Sequence, residues 1–484
     1  MSALTLWPLE LRLAAWATSK AVKAILWLFI LAAAGAVLTV LPVPWIAMGL
    51  AALTVGTLIL IKPQIALYLI CFAVPFGSLL SIDLGGISVG VADALVGVAL
   101  AAWLARAIAF RQPIRWPRMA WPALVFVGAG MLSLLNTQSL SLSAKELAKW
   151  IEFLGIMLVV TNLADARQRY VLAACLLLAG VAQFALGAYQ FTTRSGPEFF
   201  AFGRFLRAYG TFEQPNPFGG YMGLVAPLAL ALTLYGRNRE LPAWLNWMAL
   251  AGLVAVTAGI AMSGSRGAWL GAAAAIGMVA VLRGRQGQLI LLIVVLLAAL
   301  AGMLGGLDSV PDQIVDRITG FLPLIGGLST GNDIPGIEVT DANYANLERL
   351  AFWQAAADMW SDHLWLGVGI GNYQAAYADY SLPKWRVPLG HAHNYYLNVA
   401  AETGLIGLSA YLALWAAVIW RLAKITIQSQ STYVKALALG ALGVVIHASV
   451  HNVVDNLWVH HMYIHIAIIL GLTETQSAIK PVSA

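Results

Sequence analysis

From residue 22 onward the chain reads as a succession of apolar stretches, each close to the roughly 20 residues that a helix needs to cross a bilayer. The stretches centre on 22–42, 44–62, 64–81, 91–110, 119–135, 144–161, 169–191, 216–235, 243–262, 267–282, 288–305, 394–420, 433–451 and 457–472. Several are short, so the pattern predicts about twelve to fourteen transmembrane helices. Two connections between them are long, 192–215 and 306–393. The second contains a helical periodicity over 344–361, with Leu347, Leu350, Phe352, Ala357 and Trp360 among its apolar positions, ended by "GVGIG". The expected organisation is an N-terminal membrane section 1–305 with a loop at about 192–215, a partly helical cap 306–393, and a C-terminal membrane section 394–484.

Composition agrees with this pattern. The 484 residues are 60% hydrophobic and 10% charged, and the mean hydropathy is +0.79. A soluble domain carries about a quarter charged residues, so the chain is expected to be an all-α polytopic membrane protein. The net charge of +6 does not point to nucleic acid. With a cytoplasmic N-terminus, the inside loops hold Lys20, Lys23, Lys62, Arg106, Arg111, Arg115, Arg118, Arg167, Arg169, Arg237, Arg239, Arg283, Arg285, Arg421, Lys424, Lys435 and Lys480. The outside loops 77–90 and 452–456 hold no Lys or Arg. That is the positive-inside asymmetry, and it places both termini in the cytoplasm. The first apolar run lacks a small-residue cleavage site and reads as an anchor. Cys71 and Cys175 lie in apolar runs and are expected to fill the core.

Against this rule, the basic residues left outside carry information. Arg194, Arg204 and Arg207 fall in the first long loop, Arg266 in the tight turn "SGSRGAW", and Arg317, Arg349, Lys384 and Arg386 in the second. Arg207 is followed by "AYGTFEQPNPFGGYMG", with Asn216 where the chain re-enters the membrane. The planar guanidinium fork donates paired hydrogen bonds to phosphate oxygens, which suits an anionic headgroup such as a lipid diphosphate. The plainer reading is snorkelling to ordinary lipid phosphates.

A second constellation is "GHAHNYYLNVAAETGLIG", residues 390–407. Asn394, Asn398 and Glu402 are spaced four apart and fall on one helix face, with His391 and His393 at its top. Such a face in a bilayer is costly unless it lines a wet cavity. Neutral histidine is a natural general base near pH 7, and the amides and carboxylate suit sugar hydroxyls. Glu152, Glu402 and His447 all fall on the order of 10 Å from the outside ends of their helices. The expected cavity therefore opens outward and is not a through-channel. A rival is a metal site on His447/His451 and His461/His465, each pair i, i+4, with Asp455 and His460 nearby. Hydrogen bonding between helices is the other reading of these histidines. Nucleotide-binding glycine loops and zinc-finger spacings are missing, and no cofactor is expected.

At these residues the chain resembles the O-antigen ligase and polymerase superfamily of bacterial membrane glycosyltransferases. The likeness runs through "RAYGTFEQPNPFGGYM", "SGSRGAWLG", "HLWLGVGIGNY" and "HAHNYYLNVAAETGLIG", over roughly 205–472. The ligase pattern is His, then Asn, Ser or Gln, nine residues, Gly, two residues, then Gly, Thr or Tyr. His393-Asn394, Tyr395 to Thr403, Gly404 and Gly407 fit it without a gap. The polymerase pattern, Arg, fifteen residues and Gly, fits in the first loop from Arg204 to Gly220; the same distance from Arg349 and Arg386 falls on Trp365 and Glu402.

The resemblance implies a fold similar to the GT-C class. It also implies metal-independent, inverting transfer of a glycan from undecaprenyl diphosphate on the periplasmic face of the inner membrane. In that reading Arg207 and Arg266, helped by Arg204, hold the diphosphate and His393 activates the acceptor hydroxyl. Asn216, His391, Asn394, Asn398 and Glu402 are the expected substrate-binding residues. A lipid A-core acceptor corresponds to a ligase and a second glycan to a polymerase; protein O-glycosylation and bicarbonate-like solute transport are the remaining alternatives. A transporter would place its site at the bilayer midplane on broken helices. A scaffold would leave the polar stripe unexplained.

Overall fold

Glycine and proline set where the helices end. The computed structural model describes residues 42–301, 340 and 343–474, apart from 78–80, 85–86 and 237–239, together with isolated positions 24, 27, 28 and 35. The chain forms two units, Met1–Lys62 and Pro63–Ala484. In the first, α1 (Val43–Ile61) is an apolar helix that starts on Pro42 and Val43-Pro44. Most of the expected span at 22–42, the end of the expected span at 288–305, and residues 306–339 of the expected cap lie outside the described residues.

The second unit begins with α2 (Gln64–Phe76), which contains Pro75. A two-stranded hairpin follows, β1 (Ser81–Leu84) on β2 (Ile87–Gly90), with Ser81 opposite Gly90. Next come α3 (Val91–Ala109), α4 (Ala120–Ser133), α5 (Leu140–Leu163) and α6 (Ala166–Thr193). The first long connection, 192–215, contains a small hairpin, β3 (Ala201–Phe202) on β4 (Phe205–Leu206). The chain continues with α7 (Pro215–Tyr235), α8 (Ala243–Ser263), α9 (Arg266–Leu282) and α10 (Arg285–Ala301). The cap contributes α11 (Tyr344–Asp362) and α12 (Tyr373–Tyr380), and the chain closes with α13 (Tyr395–Gln428), α14 (Thr432–His451) and α15 (Met462–Thr473).

This is an all-α polytopic membrane protein. Among the described residues seven helices are long and apolar enough to cross a bilayer, and four shorter apolar helices accompany them. Expected spans 64–81 and 457–472 are shorter than periodicity implied. Gly77 closes α2, and residues 452–461 form turns before α15 begins. Large apolar side chains such as Leu104, Trp121, Val125, Trp247 and Trp420 face outward, as lipid-facing positions do.

Buried at the centre, α7 packs against α8, α9 and α14. Its glycines allow that approach. A Cβ on Gly223 would collide with the His447 ring, and one on Gly220 with Leu457. Small residues at helix contacts are the usual solution in membranes, where no hydrophobic gain drives helices together.

The described part of the cap, from residue 343 onward, interlocks with α13. Gly404 has φ 64° and ψ −165°, which breaks α13 two residues after Glu402. The break frees backbone groups that the "LWLGVGIG" strand satisfies. Leu405 N–H donates to Leu364 O at 2.8 Å, Val368 N–H to Ala401 O at 2.9 Å, and Gly369 N–H to Glu402 O at 2.9 Å. A Cβ on Gly367 would strike the Ala401–Thr403 backbone, and one on Gly404 the Trp365–Leu366 backbone. The two glycine motifs are therefore halves of one backbone-to-backbone crossing. The face of α11 that docks here is Leu347, Ala351, Phe352, Ala355, Ala356 and Met359. Ala357, expected on that face, is exposed.

Candidate functional site

A cavity of about 440 Å³ opens where the cap meets the membrane helices. Its walls come from the start of α7 (Phe212–Pro217), from α11 (Ala345, Glu348, Arg349), from the loop before α13 (Leu389, His391, His393) and from the turn after α14 (Asp455, Asn456, Val459, His460). Four chain segments far apart in sequence thus meet at one place.

His393 is held from several directions. Its backbone is left-handed, φ 51°, and its N–H donates to His391 Nδ1 at 3.1 Å. Its carbonyl accepts from Trp353 Nε1 at 3.3 Å, and Phe352 lies 5.7 Å away, ring to ring. His393 Nδ1 meets Asp455 Oδ1 at 3.3 Å. With Nδ1 carrying the proton toward the carboxylate, Nε2 is left with its lone pair, the arrangement a general base requires.

Asp455 is itself fixed by its turn. Asn456 N–H donates to Asp455 Oδ1 at 2.9 Å, Leu457 N–H to Asn452 Oδ1 at 2.8 Å, and Trp458 N–H to Asn456 Oδ1 at 2.7 Å. Tyr395 N–H donates to Asn452 O at 2.8 Å, which ties this turn to the start of α13. Burial alone would push the Asp455 carboxyl up. The His393 hydrogen bond and charge, with Arg349, outweigh it and hold the carboxyl well below the usual carboxylate range. Burial, with the neighbouring His393 charge, pushes His391 down to about 3, so His391 stays neutral and accepts through Nδ1.

The two arginines sit behind the cavity wall. Arg207 Nε donates to Ser263 O at 2.7 Å and Nη2 to Asn216 Oδ1 at 2.9 Å. Its side chain runs along the left-handed turn at Gly264, two residues before Arg266. Arg266 Nη2 donates to Asn346 Oδ1 at 3.1 Å, and Asn346 is flanked by the cavity-lining Ala345. The structure thus brings Arg207 beside the Arg266 turn, and each arginine reaches a residue on or next to the wall. Arg204 is exposed at the β3–β4 tip, its guanidinium 4.8 Å from the centre of the Phe205 ring.

The stripe on α13 departs from expectation. Asn394, Asn398 and Glu402 are not among the cavity-lining residues. Asn394 is the N-cap and accepts from Tyr396 N–H at 3.0 Å and Leu397 N–H at 3.1 Å. Asn398 Oδ1 accepts from Ala392 N–H at 3.0 Å, which fixes the loop between the two histidines. Glu402 accepts from Gly371 N–H at 2.9 Å and Tyr373 N–H at 3.1 Å, so it caps α12 from below. The polar stripe is satisfied by backbone, not by a wet cavity. Glu152 and His447 likewise find internal partners, Tyr463 OH at 2.5 Å and Gly220 O at 3.1 Å.

Nor do the histidine pairs converge on a metal centre. His461 bonds Asp93 at 2.7 Å, and the His447 and His451 rings stand 5.6 Å apart inside the bundle. The cluster with ligand spacing is instead His391, His393 and Asp455, whose ligand-type atoms lie within 4.8 Å of one another. The hydrogen bonds just described occupy those same groups. Asp455 was visible in the sequence only as a neighbour of histidines. Glu213 and Glu348 carried no signal, and Arg349 and His460 stood out only as an outside cation and as a neighbour of the histidine pairs, because only the packing of α11 and the 452–461 turn brings them to the cavity.

The fold and site therefore describe a largely helical membrane protein with a His–Asp pair facing a polar cavity that α11 helps to line. Residues 251–412 match the family model described as O-antigen ligase, within the O-antigen ligase/polymerase superfamily of membrane glycosyltransferases. The matched segment contains Arg266, α11, the glycine crossing and His393, while Arg207, Asn216 and Asp455 lie outside it. No curated protein matches the chain.

Proposed function

We propose that the chain transfers a glycan from undecaprenyl diphosphate to an acceptor hydroxyl on the periplasmic face of the bacterial inner membrane, in the manner of an O-antigen ligase. The observation that carries this reading is His393, poised by Asp455 at a cavity flanked by the Arg207 and Arg266 turns. His393 Nε2 takes the acceptor proton as the acceptor oxygen bonds to the anomeric carbon. The bond from that carbon to the diphosphate breaks, and its electron pair leaves on the diphosphate. Arg207 and Arg266 stabilise the charge that develops there. Help of this kind is typically worth about 3–4 kcal/mol per well-placed donor, and a general base roughly two to four orders of magnitude. Asn216 orients Arg207, and no metal takes part.

The ungapped run from His393-Asn394 to Gly404 and Gly407 favours ligase over polymerase. The Arg204–Gly220 spacing in the first loop keeps polymerisation as the second reading. The test is to incubate purified protein with an undecaprenyl diphosphate-linked oligosaccharide, alone and then with lipid A-core, and to separate the products on a gel. Product only with lipid A-core is the expected result. Longer chains from the donor alone would make the protein a polymerase. Silence in both would turn attention to protein acceptors or transport.

A further inference from the structure

Non-glycine residues with left-handed backbone are costly, and they gather where a site demands them. Among the described residues these are Arg111, Arg194, Glu213, His393, His460 and His461. Arg111 and Arg194 follow the ends of α3 and α6, where such a conformation is ordinary. His461 is held by Asp93, and His393 by Asp455, His391 and Trp353. Glu213 and His460 are different. Both line the 440 Å³ cavity, at φ 62° and 49°. Neither side chain hydrogen-bonds another described residue; the backbone of His460 belongs to the turn that Met462 N–H closes on Val459 O at 3.0 Å, whereas no backbone hydrogen bond closes over Glu213 among the described residues.

We propose that Glu213 and His460 form a glycan-recognition pair, which takes the hydroxyls of a sugar ring in the cavity while His393 and Asp455 act on the reacting oxygen. This rests on the glycosyl-transfer reading. The chemistry of the pair selects for hydroxyls. An exposed carboxylate accepts from two neighbouring O–H groups and repels phosphate. Burial pushes His460 down, opposed by the Glu213 charge, so its imidazole is neutral near pH 7 and offers one donor and one acceptor. The ring is oriented by the buried Phe212, edge-on at 5.7 Å and 89°. The cationic side chain of this cavity, Arg349, stands on α11 instead.

The test uses full-length protein and the variants Glu213→Gly and His460→Asn, which keep a backbone able to adopt positive φ. Three affinities are compared: undecaprenyl diphosphate-linked oligosaccharide, bare undecaprenyl diphosphate, and soluble acceptor oligosaccharide. Thermal stability is read alongside. Both variants should remain at least as stable as the parent and lose roughly tenfold to a hundredfold in affinity for glycan, with the bare lipid unaffected. Loss confined to the donor assigns the pair to the donor sugar, and loss confined to the acceptor assigns it there.

Glycan affinities within twofold of the parent in both arms would overturn the proposal. So would an equal loss for bare lipid, or a marked fall in stability of Glu213→Gly, which would make the strained backbone a structural element. If glycan binding falls as expected but the parent transfers nothing, the pair stands and the transfer reading fails. If the parent transfers and both variants match it, the reverse holds.

Discussion

His393 Nδ1 lies 3.3 Å from Asp455 Oδ1, although the whole of α13 and α14 separates them in the chain. The contact exists because α13 starts against the turn that follows α14, through the Tyr395 N–H to Asn452 O bond. One carboxylate thereby sets the tautomer of one imidazole. Asp455→Asn should lower kcat by about two to four orders of magnitude, with expression and folding retained. His393→Ala should lose as much, and the double variant should be no worse than the single ones, because the two act as a unit. Additive losses in the cycle would separate their roles.

Acid should destabilise the cap through the same cluster. His391 is pushed down to about 3 from an ordinary 6.5, so below about pH 6.5 the unfolded chain binds a proton that the folded chain refuses. Asp455, held below the usual carboxylate range, adds a further loss below about pH 4. Both contributions are present at neutral pH and disappear as pH falls. Thermal unfolding in detergent should show a falling midpoint from pH 7 to 4. His391→Gln should flatten that slope, and an unaltered slope would place the acid sensitivity elsewhere.

Glu402 should behave as a structural capping residue. Its two bonds to Gly371 and Tyr373 hold the glycine crossing and the start of α12. Removing this buried carboxyl acceptor leaves two N–H groups unpaired, at a cost of about 1–3 kcal/mol each. Glu402→Ala should therefore lower the unfolding midpoint, and transfer should fall only in step with the folded fraction. A Glu402→Ala protein that folds normally but cannot transfer would return this residue to the chemistry.

Chelation should leave transfer unaltered. The three groups with ligand spacing, His391, His393 and Asp455, already bond one another. Loss of activity in EDTA with recovery on added zinc would make them a metal site and would remove His393 as the base.

Much of the architecture could be read from one dimension. Spans follow from runs of apolar residues, because a bilayer leaves backbone polar groups no partner but the helix itself. Arg207, Arg266, His391 and His393 could be picked out because charge and imidazole are conspicuous in so apolar a chain. The meaning of the stripe below them was not legible. Asn394, Asn398 and Glu402 share a helix face by spacing alone. Whether such groups meet substrate, water or backbone depends on what crosses that face, and here it is the "GVGIG" strand.

The sequence by itself determined the class of fold and the ligase-like spacing, and it singled out the arginines and histidines, since these rest on local periodicity and residue type. Tertiary structure decided the partners: Asp455 for His393, Asn216 for Arg207, and Glu213 with His460 at the cavity. Those pairings depend on how glycine-lined helices approach one another and on which turns they leave exposed, and contacts made only by that packing leave no periodic trace along the chain.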